Sequence, residues 1–266
     1  MIAHVLSVAG SDPSGGAGIQ ADLKTFSALG CYGMAVLTAL TAQNTRGVTG
    51  VHIPPPEFVG EQIDAIFADV RVDAVKIGML ASGAVVEVVA DRLKRHGARN
   101  IVLDPVLVAT SGASLGTPDV IDAIKRHLFP LATVITPNIP EAVRLSGSTE
   151  PHDTAGLEQL ARILHGQGAP AVLVKGGHLG GDYAEDVLFD GADARVLRAG
   201  RVDTKNTHGT GCTLSSAIAA QLAKGQSLFE ATASAKDYLT AALKAADQLQ
   251  VGSGHGPVHH FHGLWR

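Results

Sequence analysis

The sequence predicts an α/β fold: a mostly parallel sheet with helices on both faces and an antiparallel hairpin at one edge. Three observations predict it. Short β-branched runs alternate with amphipathic stretches along most of the chain. Apolar residues make up 45% of the sequence and 31 glycines accompany them, enough for a large core with close backbone approaches. The polar, glycine-rich segments fall directly after the apolar runs, where the ligands of open parallel sheets lie.

Residues 4–9 form the first apolar run, and it stops at the turn Gly10-Ser11-Asp12-Pro13-Ser14-Gly15-Gly16. Beyond the turn, Ile19, Leu23, Phe26 and Leu29 recur at helical spacing. Pro54-Pro55-Pro56 stops one element ahead of an amphipathic helix at 57–69. Strands are expected at 74–77, 101–103, 134–136 and 171–175, with a helix at 156–165. The runs 186–189 and 195–198 flank Asp190-Gly191-Ala192-Asp193 and pair as the edge hairpin, and two Ala-rich helices at about 210–223 and 228–249 close the fold. No repeat, linker or low-complexity tract divides the chain, so one domain over residues 1–266 is expected, with no inserted β lid and no separate lid domain.

Composition excludes several partners. Charged residues are 17% and the formal net charge is −4, so no basic field is available to hold a nucleic acid. The longest apolar run, residues 31–37, falls short of the roughly 18–20 residues a bilayer span requires. Residues 1–9 lack the basic start of a signal peptide and read as a first strand. Two cysteines, Cys31 and Cys212, cannot build a disulfide framework or a thiolate zinc site, which fits a reducing, cytoplasmic setting.

The segment with the strongest chemistry is Gly209-Thr210-Gly211-Cys212, which enters a long helix through residues small enough to expose consecutive backbone N–H groups. Donors aimed at oxygens that gain charge during phosphoryl transfer are worth roughly 3–4 kcal/mol each at the barrier. At the positive end of the helix dipole the Cys212 thiol is expected to ionise below its usual ~8.5 and serve as a base. The same tetrapeptide also suits an ordinary helix cap with a structural cysteine. Asn138 and Glu141 stand three apart at a helix start, on one face, where they suit a water-bridged Mg²⁺ and equally a capping box. Asp104 follows a buried run and could join them, or serve as a turn residue. Lys175, before Gly176-Gly177, suits a nucleotide phosphate or a snorkelling strand end. Gly16-Ala17-Gly18-Ile19-Gln20-Ala21 matches a dinucleotide loop formally, but it starts too far from the first run and lacks an acid about 20 residues on. There is no Walker-type phosphate loop. Four of the 12 histidines crowd residues 255–262 with no acid or cysteine nearby, so a tail packing on the body is expected there rather than a metal site.

Taken together, AGSDPSGGAGIQADLKT, LTAQNT, KIGML, LDPV, TPNIPEA, VKGGH, NTHGTGCTLSSAIAA and the tail GHGPVHHF resemble the hydroxymethylpyrimidine/phosphomethylpyrimidine kinases of thiamine biosynthesis, within the ribokinase-like superfamily. The resemblance spans nearly the whole chain. It implies a three-layer α/β/α domain that moves the γ-phosphate of ATP to 4-amino-5-hydroxymethyl-2-methylpyrimidine and then to its monophosphate. It implies that Gly209, Thr210 and Gly211 form the anion hole with Cys212 in the base position, and that Lys175 contacts ATP. Asp104, Asn138 and Glu141 would organise Mg²⁺, while Gln43, Asp22, Met79 and Val106 would line the pyrimidine pocket. A homodimer is implied as well. Most superfamily kinases carry aspartate where Cys212 stands, which narrows the resemblance to the pyrimidine kinases and some pyridoxal kinases. The alternatives are a vitamin B6 kinase, alone or as a second activity, and a non-catalytic ligand sensor on the same scaffold.

Overall fold

The computed structural model describes residues 1–107, 116–177 and 179–265. In chain order it contains β1 (His4–Ala9), α1 (Gly18–Ala28), β2 (Tyr32–Leu37), β3 (Leu40–Asn44), β4 (Gly47–His52), α2 (Pro56–Asp69), β5 (Ala74–Ile77), α3 (Gly83–Arg95) and β6 (Ile101–Leu103). It continues with α4 (Pro118–Ala123), β7 (Val134–Ile135), α5 (Ile139–Ser146), α6 (Thr154–Gly166), β8 (Val172–Lys175), β9 (Tyr183–Phe189), β10 (Ala194–Gly200), α7 (Thr210–Ala223) and α8 (Leu228–Lys244). Residue 178, the last of the VKGGH segment, lies outside the described residues.

Eight strands form one sheet in the order β10-β9-β8-β7-β6-β5-β1-β2. Pairings from β2 through β8 are parallel, and β9 and β10 add the expected antiparallel edge. The alternation of side chains along each strand divides the apolar core between two layers. Leu6, Val8, Val75 and Ile77 pack under α2, α3, α5 and α6. Val5, Ala74, Val102 and Leu173 pack under α1, α7 and α8. That is the three-layer α/β/α architecture. The chain order turns around at β1, with β2 on one side and β5 on the other, so a crevice opens beyond the strand ends at that point.

Four regions differ from the sequence reading. Residues 32–37 form β2, and 83–95 form α3, whose start is capped by the Ser82 side chain accepting from the Val85 N–H. The helix expected to reach residue 249 ends at Lys244, and Ala246–Gln248 makes a tighter turn. An antiparallel ribbon, β3 with β4, stands apart from the main sheet. It is a two-stranded flap and far smaller than a lid domain, but the expectation of no inserted β element is corrected. Neither strand has a fully buried face, so the apolar periodicity that betrays a core strand is missing. The tail packs on the body as expected: Pro257 bridges to His208, and His259 and His260 are buried. Among the described residues no helix is long and apolar enough to cross a membrane.

Candidate active site

Two cavities lie at the strand ends. One, of about 620 Å³, is lined by the β1–α1 loop, Gln43 and Val48 of the ribbon, Lys76, Met79, Val106 and Cys212. The other, of about 500 Å³, lies toward β9, β10 and α8 and has the Lys236–Asp186 ion pair, 2.6 Å long, in its wall. Asn138, Lys175, Thr207, Thr210 and Gly211 line both, so the cavities adjoin at the N-terminus of α7.

The first amides of α7 have no acceptor within their own helix. Gly209 caps it at φ +78°, a left-handed conformation that turns the chain sharply into the helix. A Cβ at that position would lie 1.8 Å from the Gly16 carbonyl oxygen, so only glycine lets this turn close against the β1–α1 loop. Gly211 lies beside the Lys175 ammonium, 3.2 Å from where its Cβ would stand. Amides, helix dipole and lysine thus converge on one place, as binding a transferring phosphoryl group requires.

Lys175, Asp104, Asn138 and Glu141 are brought together there. The Lys175 Nζ donates to Asp104 Oδ1 at 2.8 Å, and Asp104 also accepts from Thr136 and Ser215 hydroxyls. Asn138 and Glu141 form a capping box on α5: the Glu141 N–H donates to Asn138 Oδ1 and the Asn138 N–H to Glu141 Oε2, both at 2.9 Å. The capping alternative left open by the sequence is therefore realised, on residues that also face the cavity. Burial pushes the Glu141 carboxyl up to about 7, with Lys175 acting against the shift and Asp104 adding to it.

Gln43 faces the first cavity from β3, where a register irregularity between Ala42 and Gln43 re-aims the strand, and its Oε1 accepts from the Thr41 hydroxyl. Met79 and Val106 line the same space. Asp22 does not, and its expected place in the pocket lining is corrected. It is wholly buried behind the cavity, where it accepts from Ser7, Ser216 and Lys76 at 2.6, 2.7 and 3.0 Å. Lys76 is the residue the sequence reading passed over. A lysine inside the run Ala74-Val75-Lys76-Ile77 signals a buried charge in need of a partner, and the partner is Asp22.

The expectation of an acidic Cys212 thiol fails. Burial raises it and the nearby Asp22 and Asp104 carboxylates add to that, while Lys76 and the Gly18 N–H pull it down; the thiol settles at about 11. Desolvation and two like-signed neighbours outweigh the Lys76 charge and the Gly18 N–H. Cys31 is buried against the Ala220 carbonyl, with its thiol also raised by burial, as a structural cysteine should be.

The family model for phosphomethylpyrimidine kinase matches residues 12–259. The chain is 56% identical over 266 residues to a hydroxymethylpyrimidine/phosphomethylpyrimidine kinase of Rhizobium meliloti, covering 100% of both. It is 49% identical to that of Escherichia coli, covering 98% of each. Among solved structures, the ADP complex of Bacillus subtilis pyridoxal kinase is similar at a TM-score of 0.89 and 39% identity over 98% of each chain. A phosphomethylpyrimidine kinase from Clostridium difficile is similar at 0.80 and 42% identity, over 92% of this chain and 100% of that one. Matched along nearly its full length, this chain belongs to the phosphomethylpyrimidine kinase family.

Proposed function

We infer that this chain, acting as one kinase domain in the cytoplasm, transfers the γ-phosphate of ATP to the hydroxymethyl oxygen of 4-amino-5-hydroxymethyl-2-methylpyrimidine, and then a second phosphate to the monophosphate so formed. The observation that carries this reading is the adjoining of two cavities on a wall made by the first turn of α7. The cavity under the ribbon takes the flat pyrimidine, with the Gln43 amide able to donate and accept at the ring nitrogen and amino group. The cavity toward α8 takes the nucleotide, whose phosphates reach Lys175 and the α7 amides.

In each addition an acceptor oxygen bonds to the γ-phosphorus, the bond from phosphorus to the ADP oxygen breaks, and in the first addition the hydroxyl proton is lost. Gly209, Thr210 and Gly211 bind the oxygens on which charge grows. Cys212 holds the base position, yet its thiol is protonated at neutral pH in the unliganded chain. A loose transition state asks little of a base until late, so the amide cradle contributes more than the thiol does. The carboxylates of Asp104 and Glu141 with the Asn138 carbonyl are the hard oxygen donors that suit Mg²⁺, which commonly adds waters and substrate phosphates to one or two carboxylates. When bound, the ion supplies charge neutralisation on the phosphates.

A second reading, a kinase for pyridoxal, is favoured by the 39% identity to the Bacillus subtilis pyridoxal kinase. One experiment separates them. Purified protein receives Mg-ATP and, in separate reactions, the pyrimidine alcohol, its monophosphate, pyridoxal, pyridoxine and ribose, with products identified by mass. Mono- and pyrophosphorylated pyrimidine are expected, and phosphorylation of pyridoxal alone overturns the first reading. Sedimentation of the same sample tests the homodimer implied by family likeness.

A further inference from the structure

We propose that His208 is a positioning residue of this reaction: paired with Asp12 and braced from behind by residues 253–257, it holds the turn 209–212 against the β1–α1 loop. The proposal rests on the kinase reading above. His208 directly precedes the cradle, and its side chain points into the interior. Its Nε2 lies 2.7 Å from Asp12 Oδ2, and both residues are almost wholly buried. Asp12 is ionised, because the His208 and Ser14 hydrogen bonds overcome its burial and hold the carboxyl down at about 2. The Nε2 therefore carries the proton and donates.

That one carboxylate ties two loops together. Besides His208 it accepts from the Ser14 N–H and hydroxyl and from the Gly16 and Ala17 N–H groups. The imidazole packs against Gly16, where a Cβ would come within 2.4 Å of its Cδ2. The pair joins the two loops that face the cavity.

The strap braces the opposite side. The His208 N–H donates to the Gly256 carbonyl at 3.0 Å, and a Cβ on Gly256 would stand 2.2 Å from Asn206 Oδ1. The strap also reaches the ribbon, since the His255 N–H donates to the Thr45 carbonyl at 3.1 Å and the Gly254 N–H to its hydroxyl at 3.2 Å. Amide donors act on a transition state only if they are already in place, and displacement by about 1 Å costs on the order of a hundredfold.

His208→Leu removes the donor and keeps the bulk, while Asp12 retains its loop donors. His208→Gln places an amide N–H where Nε2 stood. In steady-state assays with the pyrimidine alcohol and Mg-ATP, His208→Leu is expected to lower kcat about tenfold or more with both KM values within about threefold. His208→Gln is expected to recover most of that loss. A His208→Leu kcat near wild type, a loss carried wholly by KM, or His208→Gln as slow as His208→Leu each overturns the proposal. If His208→Leu does not fold, Gly256→Ala substitutes for it: a kcat loss of about fivefold or more is expected, and an unchanged kcat overturns the proposal. Wild type inactive on the pyrimidine would overturn the proposed function instead. The clamp is then read by hydrogen exchange at residues 207–213, expected to be about tenfold faster in His208→Leu than in wild type and His208→Gln, and equal exchange in all three overturns it.

Discussion

At the residue scale the site rests on groups whose ordinary ionisation has been altered by burial. Because its thiol is protonated at neutral pH, Cys212→Ala is expected to cut turnover by less than the roughly hundredfold that loss of a full general base brings, while ATP binding, measured by calorimetry, stays close to wild type. Glu141 gives a prediction of opposite sign from the usual carboxylate. Its folded carboxyl titrates near 7, above the ordinary 4.5, so the native state keeps a proton that the unfolded chain releases. The contribution of Glu141 to stability is present below the lower of these values and is lost as pH rises through the higher. Thermal unfolding from about pH 5 to about pH 8 should therefore show Glu141→Gln gaining on wild type by roughly 3 °C or more. Asp22→Ala leaves the Lys76 ammonium buried without its counter-charge, which should cost about 3–5 kcal/mol in urea unfolding. Lys175 and the 209–212 turn stood out in the sequence because they follow apolar runs directly, with a strand end and a helix cap as their other readings, while Gln43 came from the family resemblance alone. Asp22 was misplaced because its partners, Ser7, Lys76 and Ser216, lie on three other elements, a proximity no local pattern carries.

At the scale of elements, legibility followed burial. Strands covered on both faces, such as β1, β5 and β6, stand at the boundaries their apolar runs predict. The ribbon escaped because its half-exposed strands pack over a cavity and not over a core. Helix α7 was recognised from its glycine entry, but its dipole was credited with too much. The cysteine in its first turn is half-buried with the Asp22 and Asp104 carboxylates nearby, and those effects raise the thiol. Gly209→Ala should be the most damaging single substitution in this element. It forces an alanine into φ +78° and onto the Gly16 carbonyl, so a loss of stability of about 1–3 kcal/mol or more is expected by chemical denaturation, together with loss of turnover.

For the molecule as a whole, the two helical layers clamp a sheet whose strand order reverses at β1, and the site gathers loops at the strand ends, the start of α7, Glu141 of α5, the ribbon and His255 of the tail. Fold class was legible because it follows from the alternation of strands and helices. Which loops touch was not, since Asp12 and His208 meet across 196 residues of sequence. Mg-ATP and the pyrimidine alcohol, each at about a hundred times its Kd, should together raise the unfolding midpoint by several degrees, and a chelator should remove the nucleotide's share. The shared wall also bears on the arithmetic of two successive phosphorylations. Under the proposed function a single set of amides serves both rounds, but in the second the reacting oxygen sits one phosphate farther from the heterocycle. The guest must then back away from α7 toward the β3–β4 flap. Enlarging or trimming side chains on that flap, Val48 in particular, should alter the ratio of pyrophosphate to monophosphate produced more than it alters the rate of the opening round.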